Sequence, residues 1–405
     1  MSTYPTGLME LADEIERSLW QDHLERFFPA SIRAGGGFHQ TFSRDWTARG
    51  SGTRSIVFQA RMTWVAAVVA GTGRPAYGGY ARHGLRVLAD TMWDDGTGSF
   101  HWQVDAQNLP SGTQVNERHA YGAAFAIFAL AATARALRND EALSLAQRAF
   151  RALDQRHHDP VGGGYWETVD VAGNPLLTSP GASGRDSIGT PYGQKSQNTL
   201  LHLMEAFAEL YRVWPDAVLG ERLRELLGLF RRQLYAEPGW LHGFVTPDLT
   251  PVPGPVSHGH DVEAAHLMLD AADALGETDA ELLALTRTLV DYALDHGWHD
   301  AGGFYYAGNA DGAVLDDTKE WWVQAEGMLA LATMLRRTGD PRYEGRLREQ
   351  WAWIRDRQID REFGGWYATL TTSGTVKGSE AKAHAWKAAY HDGRAMLYTA
   401  RLLRH

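Results

Sequence analysis

The chain has 405 residues, 44% of them hydrophobic and 22% charged, a composition that fits a globular protein with a substantial core. A formal net charge of −10 argues against nucleic acid as a partner, because binding phosphate needs a basic face that releases counterions. Cysteine is absent, which excludes disulfides, thiolate nucleophiles and cysteine metal sites.

The opening segment, Met1–Trp20, carries Asp13, Glu14 and Glu16 where a secretion signal needs an apolar stretch. No run approaches the roughly 20 apolar residues of a membrane-spanning helix. The expectation is a cytoplasmic protein with no membrane partner, either monomer or homodimer. Aromatic residues are plentiful, with 15 Trp, 15 Tyr and 14 Phe. Most serve a large core, while a few exposed in a cleft would stack on the C–H faces of sugars.

Along the chain a glycine-aromatic element returns six times. It reads Gly36-Gly37-Phe38-His39, Gly98-Ser99-Phe100-His101-Trp102 and Gly163-Gly164-Tyr165-Trp166. It continues as Gly239-Trp240-Leu241-His242, Gly302-Gly303-Phe304-Tyr305 and Gly364-Gly365-Trp366-Tyr367. Turn residues such as Ala172-Gly173-Asn174-Pro175 and Asn309-Ala310-Asp311-Gly312 follow, so each element predicts a short β-hairpin.

Between hairpins the apolar spacing predicts paired helices: 121–137 with 141–157, 197–214 with 221–235, 262–275 with 280–296, and 322–336 with 342–357. The repeat of roughly 60 to 76 residues is too small to bury its own apolar face, so the units must pack together. Six units without a polar capping repeat favour a closed ring over an open stack. The prediction is an all-α (α/α)6 barrel, a single catalytic domain over 1–405, with one helix of each pair inside.

The inner helices should be those that follow the hairpins, and their starts are rich in polar residues. They carry Gln59-Ala60-Arg61, Glu117-Arg118-His119-Ala120-Tyr121, Gln197-Asn198, Ser257-His258-Gly259-His260-Asp261, Lys319-Glu320-Trp321-Trp322 and Trp386-Lys387 with Tyr390-His391. In a ring these starts share one rim. Asn198, His202 and Glu205 share a helix face, as do His260 with Glu263, Trp322 with Glu326, and His391 with Arg394. Any one histidine here reads first as a satisfied polar residue; three on one rim point to chemistry.

Histidine exchanges protons near neutral pH. Two imidazoles on opposite sides of a carbon can remove a proton from one face and return it to the other, and Arg61 can stabilise the oxyanion formed beside it. The set suits proton abstraction next to a carbonyl, as in epimerising or isomerising an open-chain sugar. A metal site built on the His258–Glu263 run is the first rival, although no metal-ligand spacing is present. A glycosidase using Asp261, Glu263 or Glu326 is the second, and a non-catalytic sugar-binding or protein-interaction module the third.

At these residues the sequence resembles the N-acylglucosamine 2-epimerase superfamily, nearest its cellobiose 2-epimerases and mannose-acting members. The resemblance rests on Lys195-Ser196-Gln197-Asn198-Thr199-Leu200-Leu201-His202, Gly259-His260-Asp261-Val262-Glu263, Lys319-Glu320-Trp321-Trp322-Val323-Gln324-Ala325-Glu326, and Trp386-Lys387 with Tyr390-His391. It implies an (α/α)6 barrel and a 2-epimerase that needs no cofactor and no metal. By this resemblance His260 and His391 are the acid/base pair at C2, and His202 is a third catalytic histidine. Arg61 would stabilise the enediolate. Tyr121, Asn198 and Glu263 would orient the substrate, and Trp322 and Trp386 would hold the sugar ring. Where cellobiose-type members carry Pro before the Tyr-His pair and Asn after it, this chain has Ala389 and Asp392. Gln197 and Leu200-Leu201 also depart from the pattern. A monosaccharide and a β-1,4-linked disaccharide both stay open as substrates, as does isomerisation of D-mannose to D-fructose.

Overall fold

The computed structural model describes residues 7–112, 114–180 and 182–404. Met1–Thr6, the start of the segment read for a signal, lie outside the described residues. The helices are α1 (Leu8–Ser18), α2 (Glu25–Ser31), α3 (Ile56–Gly71), α4 (Gly78–Val87), α5 (Ala120–Leu137), α6 (Asp140–His157) and α7 (Gln197–Tyr211). They continue as α8 (Ala217–Leu229), α9 (His258–Leu275), α10 (Ala280–His296), α11 (Trp321–Thr338), α12 (Pro341–Trp353) and α13 (His391–Leu402). A π-helical turn joins α1 to α2, and others extend α4, α8 and α12 at Leu88–Met92, Phe230–Leu234 and Ile354–Gln358.

Odd-numbered helices from α3 to α13 pack each on the next as an inner ring. Each is covered on the outside by the helix that follows it, and α13 by α1. Closure is made where Trp64 on α3 meets Tyr390 and Tyr398, at ring-centroid distances of 5.4 and 6.2 Å. The architecture is the predicted (α/α)6 barrel. One expectation is corrected: Ala120–Leu137 does have the length and hydropathy of a membrane span. Its apolarity has another cause, since 83% of that window is buried among neighbouring helices.

Capping explains where the helices start. Ser55, Ser196 and Ser257 accept the N–H groups of Phe58, Thr199 and His260, and His119 accepts that of Tyr121. The Ser257 cap starts α9 at His258, four residues before the apolar periodicity that begins at Val262. Asn139, Asp216, Asp279 and Asp340 cap outer helices in the same way.

The expected hairpins are divided between neighbours. Their first arms bridge back to the end of the preceding outer helix, as in Ile32 with Phe38, His158 with Tyr165, and Trp298 with Phe304. Gly163 and Gly164, at φ +84° and +70°, make one such reversal in backbone that a side chain would strain. The second arms cross to the repeat before. Arg54–Ser55 pairs with Gln103–Val104, Glu117–His119 with Thr168–Asp170, and Lys195–Ser196 with Phe244–Val245. Val256–Ser257 pairs with Ala307–Gly308, and Lys319–Glu320 with Thr369–Leu370. The bridge between Phe42 and Ala383 makes the sixth junction and closes the rim.

Beneath these loops sit buried cations two residues before the inner helices. Arg54 donates to the Gly36 carbonyl at 3.2 Å, Lys195 to that of Gly163 at 2.6 Å, and Lys319 to that of Gly303 at 2.6 Å. Lys195 also meets Asp159 at 2.7 Å, and Lys382 meets Asp360 at 2.6 Å. The fourth repeat has Val256 there instead, packed with Trp240 and Tyr292. These pairs fix the rim on which the inner helices open.

Candidate active site

The inner helix starts surround a cavity of about 190 Å³. It is lined by Arg61, Tyr121, Asn198, His202, His260, Glu263, Trp322, Trp386 and His391, together with Ile188, Tyr306 and Trp321. All nine residues singled out from the sequence are thus brought to one place; Ile188, Tyr306 and Trp321 are additions.

Each histidine has a distinct setting. His391 donates from Nδ1 to Glu326 Oε1 at 2.6 Å, and His202 donates from Nδ1 to Glu205 Oε2 at 2.9 Å. In the neutral rings this leaves each Nε2 with its lone pair. His260 has no carboxylate partner among the described residues; its ring lies 4.8 Å from that of Trp322, which also lies 5.8 Å from His391. Burial pushes His260 and His391 down to about 4, in the latter against the pull of Glu326, and pushes His202 down to about 3. All three are neutral at pH 7, the form that can accept a proton.

Arg61 is sandwiched, its guanidinium 4.4 Å from the centre of the Phe125 ring and 5.0 Å from that of Tyr390. It donates to the Trp386 carbonyl at 2.8 Å and the Tyr121 hydroxyl at 3.1 Å. Its Nε and the Oδ1 of Asn198 are buried with no hydrogen-bond partner among the described residues. Trp386 is 38% exposed and forms the mouth, with its ring 6.3 Å from Tyr121.

Below the cavity lies an ionic floor that the sequence did not disclose. Arg394 meets Glu263 and Glu326 at 2.7 Å each and also pairs with Glu205. Tyr390 donates to Glu205 at 2.6 Å, and His266 donates to Glu326 Oε2 at 2.8 Å. Three carboxylates thus share one guanidinium, and the surplus negative charge stabilises any imidazolium formed above it. The only signal in the sequence was spacing: Arg394 shares a face with His391, and His266 lies three residues beyond Glu263.

The rival readings meet different geometry. Consecutive helical residues point about 100° apart, so the His258–Glu263 run is dispersed. His258 faces outward against Tyr292, Asp261 accepts the Leu241 N–H at 3.1 Å, and only His260 and Glu263 reach the cavity. Glu263 and Glu326 share one nitrogen of Arg394, so they do not flank an open gap as glycosidase carboxylates do. None of the departures from the family pattern lines the cavity. Asp392 is 3.2 Å from His23 on the outer ring, and Leu200 and Leu201 are fully buried.

The wall containing Ile188 is held from below. His119 donates to Asp186 at 3.0 Å, and Asp186 accepts the N–H groups of Ile188 and Thr190 at 3.0 and 2.8 Å. Although His119, Asp186 and Glu167 lie close enough to share an ion, both nitrogens of His119 are in use, the second accepting the Tyr121 N–H.

Comparison with known proteins bears on this arrangement. The cellobiose 2-epimerase of Bacteroides fragilis is 30% identical over 367 residues, covering 89% of this chain and 90% of that protein. The D-mannose isomerase of Thermobifida fusca is 29% identical, covering 81% of each. The solved cellobiose 2-epimerase of Spirochaeta thermophila superposes with a TM-score of 0.88 at 29% identity, covering 99% of each chain. The family model for N-acylglucosamine 2-epimerase (GlcNAc 2-epimerase) matches residues 36–395, and this chain belongs to that family.

Proposed function

We propose that this protein is a carbohydrate isomerase that epimerises free aldoses at C2, interconverting glucose- and mannose-configured sugars without a bound cofactor. The observation that carries the reading is the placement of His260 and His391 about the Trp322 ring, opening with Arg61 on one cavity. The names of the relatives, cellobiose 2-epimerase and D-mannose isomerase, support the same chemistry.

In this reading His202 assists opening of the sugar ring, which exposes a C1 carbonyl and makes the C2 proton acidic. One imidazole of the pair, neutral, removes that proton from one face of C2. The electron pair moves into the C1–C2 bond, and the C1 oxygen becomes an enediolate oxygen stabilised by Arg61. The other imidazole, neutral at rest, first takes up a proton from solvent and then delivers it to the opposite face of C2. Glu326 and Glu263 favour the charged form of His391, which makes it the donor when His260 is the base. The roles exchange in the reverse direction. Tyr121 and Asn198 orient the oxygens, and Trp322 and Trp386 hold the ring.

The near alternative is aldose–ketose isomerisation, favoured by the D-mannose isomerase relative. It shares the first proton abstraction and returns the proton to C1. D-Mannose incubated in deuterated water and followed by NMR separates the two. Glucose carrying deuterium at C2 is the expected product, and fructose as sole product would sink epimerisation. Cellobiose and mannobiose assayed in parallel give the substrate size. A cytoplasmic location goes with this reading, supported by the cysteine-free composition.

A further inference from the structure

The ionic floor has a far side. A second cavity, of about 350 Å³, opens at the other end of the ring, and His266, Glu205 and Arg394 line it. The sugar cavity and this one are therefore separated by a single layer of side chains. His266 is three residues after Glu263 on α9, so it shares the face of that floor carboxylate, one turn deeper in the barrel.

The two oxygens of Glu326 are divided between these sides. Oε1 accepts from His391 at 2.6 Å and from Arg394 at 2.7 Å. Oε2 accepts from His266 Nε2 at 2.8 Å, the only donor to that oxygen among the described residues. A carboxylate turns easily about its last torsion, which is broad rather than three-welled. Donors on one oxygen alone leave such a group free to pivot; a donor on the second fixes its plane. The plane of Glu326 in turn decides whether Oε1 stays on His391 Nδ1, and with it which ring nitrogen of His391 carries the proton.

We propose that His266 is a positioning residue for His391, acting through Glu326. The proposal rests on the reading of His391 as an acid/base group. His266 touches no substrate in this arrangement. It locks the carboxylate that locks the imidazole, from the side of the barrel away from the sugar.

The test compares the parent with His266→Leu and His266→Gln, whose amide nitrogen reaches about as far as Nε2. Two measurements are made: kcat and KM on D-mannose, and the tautomer of His391 from the long-range ¹⁵N–¹H couplings of its imidazole. His266→Leu should lower kcat by about tenfold or more, with KM within about twofold. It should also replace the single Nδ1–H form of His391 by a mixture. His266→Gln should restore both, to within about threefold of the parent kcat. Parental kcat in His266→Leu overturns the proposal, as does an unaltered His391 tautomer. Should His266→Leu fail to fold, His266→Asn, whose amide is too short to reach Glu326, takes its place with the same expectations. If the parent itself is inert on every sugar, the reading of the site fails. The tautomer measurement still decides the role of His266.

Discussion

Glu326 accepts the Nδ1–H of His391 at 2.6 Å, and the same carboxylate oxygen is 2.7 Å from the guanidinium of Arg394. The carboxylate is thereby held charged, well below its ordinary range, chiefly by Arg394 against the cost of burial. A charged acceptor fixed at Nδ1 leaves Nε2 as the reactive nitrogen, and that assignment yields the first prediction.

His391→Asn, whose amide nitrogen overlies Nδ1, should keep a donor toward Glu326 while removing the base. Turnover of D-mannose should fall by about 10²–10⁴-fold, with the helical circular dichroism unchanged. Exchange of the C2 proton with deuterated water is the direct measurement. Exchange at the parental rate would refute the acid/base role.

Acid should destabilise the fold through histidines buried in the neutral form. Burial pushes His157 and His258 down to about 4 and His202 to about 3. The unfolded chain, with ordinary histidines near 6.5, binds these protons more readily. Their contribution is therefore complete above pH 6.5 and is lost as the pH falls from there toward about 4, at about 1.4 kcal/mol per histidine per pH unit. Glu167, pushed up to about 7 by burial, runs the other way and offsets about one of the three. Urea unfolding at pH 7.5 and 5.5 should show a clear net loss at the lower value. Equal stabilities would contradict the buried, neutral assignment.

Gly259 has no room for a side chain. A Cβ there would stand 2.6 Å from one ring atom of Trp322 and 2.7 Å from another. Gly259→Ala should tilt the indole off His260 and lower kcat/KM by roughly 10–100-fold, with a stability loss of about 1–3 kcal/mol because the same methyl group meets buried Val323. Parental kinetics would remove Trp322 from the sugar contact.

The seam between the last repeat and the first depends on Asp360, which is 1% exposed. It accepts from Lys382 at 2.6 Å and from Arg44 at 2.8 Å. Asp360→Asn leaves Lys382 charged and buried without its counter-ion, at a cost of about 3–5 kcal/mol. Arg44, a third exposed, adds little to that. Urea unfolding measures it; a loss under about 1 kcal/mol would show that apolar packing alone holds the seam.

The ring was legible because each repeat writes its own punctuation, a glycine-aromatic reversal followed by a polar helix start. The cavity was legible for the same reason, since Arg61, His202, His260 and His391 all stand within about two turns of such a start. The floor was not. Glu205 and His266 lie further along helices that are otherwise apolar, and although Arg394 stands one turn from His391, only the convergence of four helices makes the three partners. Adjacent residues were also grouped too readily, because His258, His260 and Asp261 diverge around the α9 axis. Ile188 could not have been placed, since its loop depends on Asp186 reaching back to His119.

The bridge between Phe42 and Ala383 has a mechanical meaning. In a linear array of repeats the outermost unit has one neighbour and peels away first, so damage can stay local. Here every repeat has two neighbours, and loosening any junction lets the whole hoop spread. The residues about the sugar cavity come from all six inner helices, so its diameter is set by the weakest junction. A catalytic geometry that must hold to fractions of an ångström is thereby tied to the integrity of contacts far around the circle.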